Sequence, residues 1–70
     1  MMPLCLASPG EELTVRKVGG NPDVRKRLED LGFTVGATVT VINTLGENVI
    51  VRIKDSRLAI NADMARRIMI

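Results

Sequence analysis

The sequence predicts a mainly β protein, a small antiparallel barrel of about five strands with one short α-helix inserted after the first strand. Helical spacing appears in one stretch only, Asn21 to Gly36, whereas β-branched and alternating segments fill most of the remainder. The later strands are joined by tight turns with no second crossover helix, which calls for antiparallel pairing. Closing such a sheet into a barrel hides its edges and lets one short helix cover an open end.

The helix is the best-specified element. Asn21 is a good N-cap, Pro22 has no N–H to leave orphaned in the first turn, and Asp23 puts negative charge at the positive end of the helix dipole. Val24, Leu28 and Leu31 share one face, while Arg25, Lys26, Glu29 and Asp30 lie elsewhere. The basic run Arg25-Lys26-Arg27 has Glu29 and Asp30 within one turn, close enough to pair with it, and reads as a solvated helix face. Gly32 can take the left-handed conformation that ends a helix at Leu31, and Phe33 can fold back onto the apolar stripe. A helix this short needs a sheet to pack against.

Taken in order, the first ten residues predict an ordered lead-in of loop in which Leu4 and Leu6 pack, with a turn at Pro9-Gly10 before the first strand. Leu13 to Val18 is the first strand, with Leu13 and Val15 on one face and a break in phase at Val18. Ala37–Asn43 and Val49–Lys54 form a hairpin whose connection centres on Leu45-Gly46-Glu47. Putting Val41 opposite Val51 and Val39 opposite Ile53 buries all four, and a slip of one residue would expose half of them. That register sets Ile42 opposite Ile50 on the outer face, beside Thr40 with Arg52 and Thr38 with Lys54. Arg57–Ile60 follows a two-residue turn at Asp55-Ser56, with Ile53 opposite Leu58, Val51 opposite Ile60 and Asp55 in a left-handed conformation. Asn61 caps a single turn, and Arg66–Ile70 closes the chain as a last strand. The expected core is Leu13, Val15, Val24, Leu28, Leu31, Phe33, Val39, Val41, Val51, Ile53, Leu58, Ile60, Ala65 and Ile68.

Composition narrows the function. Seventy residues predict one domain over residues 1–70, too small for a deep internal active site. The mean hydropathy of +0.17 is high, yet no apolar run approaches a membrane span. The N-terminus has no basic region and is interrupted by Pro3 and Pro9, so a secretory signal is rejected and a cytoplasmic location expected. The single cysteine, Cys5, has no histidine in the chain to serve as co-ligand or base, and its plain reading is a small hydrophobe. No metal site and no cofactor are expected. The carboxylates fall in turns or on solvated faces without positioned partners, so an enzyme is not expected. Ten basic against eight acidic residues give a net charge of +2, a weak nucleic-acid signal. Phe33 is the only aromatic residue, and both base stacking and a groove for Pro-rich peptides need more.

Arg27-Leu28-Glu29-Asp30-Leu31-Gly32-Phe33-Thr34-Val35-Gly36, the Val-rich hairpin after it, Ser56-Arg57-Leu58-Ala59-Ile60, and Met64-Ala65 before the closing Ile68-Met69-Ile70 together resemble the FeoA family of ferrous iron transport accessory proteins. The likeness runs over nearly the whole chain. Asp55 stands at a turn position where the family often has glycine. The resemblance implies an SH3-like barrel with an inserted helix. It also implies a cytoplasmic partner of a large membrane transporter for ferrous iron that carries a GTP-binding domain. A related domain forms part of metal-dependent repressors, but this chain has no helix-turn-helix segment.

A module of this kind works through its surface, so apolar residues that the barrel cannot bury are the candidates. Ile42, Leu45 and Ile50 lie close together in the expected register, rimmed by Arg52 and Arg57. Scattered exposed apolar residues are ordinary, but three around one hairpin are not. Arg27 belongs to the family-like stretch and is either a partner contact or locally paired with Asp23 or Asp30. The competing reading is a stand-alone small barrel that binds nucleic acid or another protein without a transport role. The Ile42/Ile50 face could also pair with a second copy of the chain.

Overall fold

The β-branched run Thr38–Leu45 (β3) turns at Gly46-Glu47 and returns as Asn48–Ile53 (β4), and this hairpin is the centre of the computed structural model, which describes residues 1–70. Glu12–Thr14 (β1) pairs outside β3 and Ser56–Asn61 (β5) outside β4, giving one antiparallel sheet in the order β1-β3-β4-β5. Lys17–Val18 (β2) and Ile68–Met69 (β6) form a second, two-stranded sheet. Pro22–Asp30 (α1) joins β2 to β3, Ala62–Arg67 (α2) joins β5 to β6, and a short 3₁₀ turn occupies Leu4–Leu6. No helix is long and apolar enough to cross a membrane.

The expected first strand is divided between the two sheets. The Val15 amide donates to the Ala37 carbonyl at 2.8 Å and the next amide, that of Arg16, to the Met69 carbonyl at 2.8 Å, so the chain changes sheets at that peptide. This is why Val18 falls out of phase with Leu13 and Val15: it turns inward from the other sheet and is buried there. The N-terminal residues form the expected ordered lead-in, but with a bridge from Pro3 to Met69 and a 3₁₀ turn where plain loop was expected. Met2 and Ile70 exchange backbone hydrogen bonds at 2.9 and 3.0 Å, and Leu4 is fully buried while Leu6 faces solvent.

Both helices begin as the sequence indicates. The Asn21 side chain accepts from the Val24 amide at 2.9 Å, and the Asn61 side chain accepts from the Met64 amide at 2.8 Å. The second cap opens a six-residue α-helix where a single turn was expected, and the closing strand shrinks to two residues. At the other end of α1, the Gly32 amide donates to the Glu29 carbonyl at 2.9 Å and the Phe33 amide to the Leu28 carbonyl at 3.0 Å, the paired bonds of a Schellman cap. Gly32 has φ +107°, open to glycine and strained for other residues.

The hairpin keeps the expected inner pairs, Val39 with Ile53 and Val41 with Val51. The β4–β5 register differs by two residues from expectation: Val51 faces Leu58, Val49 faces Ile60, and Ile53 faces Ser56. A shift of two preserves which face each side chain takes, so the buried set is hardly disturbed. The turn is Lys54-Asp55, one residue earlier than expected, and Lys54 rather than Asp55 carries the positive φ, +55°.

Every buried side chain is apolar. The core joins Val39, Val41, Val49, Val51, Ile53 and Ile60 of the large sheet to Leu28 of α1, Phe33 just after it and Ala65 of α2, together with Val15, Val18, Ile68, Ile70 and Leu4, whose 3₁₀ turn lies against α2. Leu13, Val24 and Leu58 pack at its margin, half-buried, where full burial was expected. Leu31 is 41% exposed, because the chain reverses at Gly32 immediately after it and Phe33 takes the place under the helix.

Candidate docking surface

The outer face of the hairpin is shaped by one extra residue. Val41 faces Val51, but Asn43 faces Ile50, so Ile42 is a β-bulge rather than the partner of Ile50. A bulge sets two residues of one strand against one of the other and deepens the local twist. It also shortens the connection to the two-residue Gly46-Glu47 turn. Ile42 and Ile50 are half-buried beside each other, and Ile50 has Ala59 across from it on β5. Leu45, opposite Asn48 at the tip and on the same face as Ile50, is 62% exposed.

Two residues further along that face, Arg52 lies between Thr40 of β3 and Arg57 of β5, and both arginines are exposed. Ile53 and Ser56 flank the two-residue turn and form its hydrogen-bonded pair, so Arg52 and Arg57 occupy the non-hydrogen-bonded position, where Cα atoms approach to about 4.5 Å. Like charges directly opposite are destabilising. Neither arginine has a carboxylate within ion-pairing distance: the one ion pair in the molecule joins Arg66 to Asp63 on α2. Beyond Arg52 the face dips into a depression of about 270 Å³ lined by Glu12, Ala37, Thr38, Thr40, Arg52 and Lys54.

Ile42, Leu45, Ile50, Arg52 and Arg57 thus share the hairpin side of the large sheet. Arg27 does not. It lines a cleft of about 260 Å³ between α1 and α2, with Val24, Asn61, Asp63, Met64 and Arg67. It makes no ion pair with Asp23 or Asp30, and the basic run Arg25-Lys26-Arg27 makes none with Glu29 or Asp30. These long side chains are exposed, and holding two of them together in water gains little.

One basic hollow was not visible in the sequence. Lys17, Arg66 and Arg67, with Met1, Gly19, Gly20 and Met69, enclose about 340 Å³ where β2, α2 and β6 meet. Its residues are distant in sequence, and only the pairing of β2 with β6 brings them together. Cys5 is half-buried against the core. No three cysteine or carboxylate side chains converge as a metal-ligand group.

Two antiparallel sheets wrapped on an apolar core, with a short helix between the early strands and the central hairpin, define an SH3-like barrel protein. The chain belongs to the FeoA family: the FeoA domain matches residues 2–70. A protein of Methanocaldococcus jannaschii named "Putative Fe(2+) transport protein A" is 34% identical over all 70 residues, which cover 85% of that protein. Among solved structures, an iron uptake regulatory protein (FeoA) superposes with a TM-score of 0.87 at 31% identity, covering 96% of this chain and 89% of that one. The zinc-complexed FeoA of Stenotrophomonas maltophilia, a prokaryotic SH3 domain protein, superposes with a TM-score of 0.86 at 25% identity, covering 99% and 88% of the two chains.

Proposed function

We propose that this chain is an accessory protein of ferrous iron transport that acts by docking on the cytoplasmic, GTP-binding part of a membrane transporter for ferrous iron. Membership of the FeoA family supports the transport role. The observation that carries the docking role is the outer hairpin face, where the exposed Leu45 and the half-buried Ile42 and Ile50 adjoin two arginines without carboxylate partners. Apolar centre and basic rim is a common make-up for a protein–protein contact. On this reading the protein works in the cytoplasm, reaches the membrane only through the transporter, and does no chemistry of its own.

The test is a calorimetric titration of the protein with the isolated cytoplasmic part of its transporter, with and without guanine nucleotide. Ile42→Asp and Ile50→Asp each place a charge at the contact and are expected to weaken binding by about tenfold or more. Circular dichroism checks that the variants stay folded. Unchanged affinity in both folded variants removes the hairpin face as the contact, and no binding by the unaltered protein removes the docking role.

A further inference from the structure

The large sheet ends on β5, a six-residue strand with no proline, and no further strand covers its outer side. The backbone groups along that side follow from the register. With Ile53–Ser56, Val51–Leu58 and Val49–Ile60 as the hydrogen-bonded pairs of the hairpin, the N–H and C=O groups of Arg57 and Ala59 point away from β4. None of Ser56–Ile60 takes part in any backbone hydrogen bond among the turns, loops and caps. Apart from β4 and from α2, which continues directly from its last residue, no element brings its backbone close to β5 over several positions. An open edge of this length is a template for an added strand.

The charge beside the edge selects what can be added. Arg57 projects from the edge strand itself, Arg52 lies directly opposite on the next strand, and Lys54 follows in the turn between them. All three are exposed and none is ion-paired. An extended segment lying along β5 would put alternate side chains on the same face as Arg57. Carboxylates at those positions would relieve the Arg52–Arg57 repulsion and be held by charge-assisted hydrogen bonds.

We infer that the open edge of β5 takes one extended, acidic segment of the partner protein as an added strand, with alternate carboxylates on Arg57 and Arg52. The inference rests on the docking role proposed above and names the chemistry of the partner's contacting segment. Backbone pairing supplies the adhesion, and the arginine pair supplies the selection.

The experiment is amide hydrogen exchange by NMR on the full chain, alone and saturated with the cytoplasmic part of the ferrous transporter, together with the variants Arg57→Glu and Ala59→Pro. Proline at position 59 removes an N–H that faces outward and leaves the β4 ladder bonded, the setting in which edge strands tolerate it. Exchange at Arg57 and Ala59 is expected to slow by about tenfold or more in the complex, and each variant to weaken binding by about tenfold or more. Should Ala59→Pro fail to fold, Arg57→Glu and the exchange rates decide by themselves. A complex in which both amides exchange as in the free protein and Arg57→Glu binds like wild type overturns the added strand and leaves the docking role standing. Absence of any complex with the unaltered protein overturns both. Protection that grows with the protein's own concentration and needs no partner makes a second copy the occupant and overturns the acidic segment.

Discussion

The Phe33 amide donates to the Leu28 carbonyl across 3.0 Å, and the two side chains so joined are both fully buried. One hydrogen bond therefore ends α1 and turns the chain's only aromatic ring under the helix that has just finished. The reversal depends on the residue between Leu31 and Phe33.

Gly32→Ala forces a side chain into a backbone conformation with φ +107°. A Cβ there would meet Ile53 at 3.6 Å, an ordinary contact, so the loss comes from the backbone and not from crowding. The expected destabilisation is about 1–2 kcal/mol. Asn, which tolerates positive φ better than Ala, should lose less at the same position. Thermal melting of the two variants checks the order.

Phe33→Ala and Leu31→Ala should separate sharply although the residues are two apart. Removing the buried ring costs about 3–5 kcal/mol. That rivals the about 3–5 kcal/mol that the core of so small a domain supplies, so the variant is expected to be largely unfolded at room temperature. Leu31 is 41% exposed at the cap, and its replacement should cost about 1 kcal/mol or less. Urea titration followed by circular dichroism measures both.

Leu4→Ala tests whether the N-terminal segment belongs to the core. Leu4 is fully buried, and the Met2–Ile70 pairing holds its segment in place. A loss of about 2–5 kcal/mol is expected. A urea midpoint within error of wild type would show the terminus to be detached.

Lys54→Gly is expected to stabilise. Lys54 is the only non-glycine residue with positive φ, at +55°, and glycine adopts that conformation without strain. Relief of the strain, offset by the greater freedom of glycine in the unfolded chain, leaves a gain of about 0.5–1 kcal/mol. A raised urea midpoint with an unchanged slope is the expected signature.

The helix and the hairpin were legible because their signals are local. Asn21, Pro22, Gly32 and Phe33 each act on neighbours within a turn or two, and the alternation of Val39, Val41, Val51 and Ile53 leaves one register that buries them all. The hairpin residues Leu45, Ile50 and Arg52 were legible as neighbours for the same reason, whereas the place of Arg57 directly opposite Arg52 follows from a β4–β5 register two residues away from the expected one. The bulge was not legible: Ile42 alternates correctly in sequence, and only the length of the connecting turn decides whether it pairs or is skipped. The ion pairing expected of Arg27 was a matter of spacing, and spacing alone does not hold two solvated side chains together.

By itself the sequence determined the fold class, the extent of α1 and the face that each strand of the hairpin turns inward, since these follow from caps and period-two patterning within a few residues. Tertiary structure decided where the first strand changes sheets, that Leu4 joins the core, and that β5 ends the sheet with its outer backbone unpaired. Those outcomes depend on contacts between residues far apart in the chain. The Met69 carbonyl that draws Arg16 into the second sheet lies more than fifty positions away, and no local pattern encodes a partner at that distance.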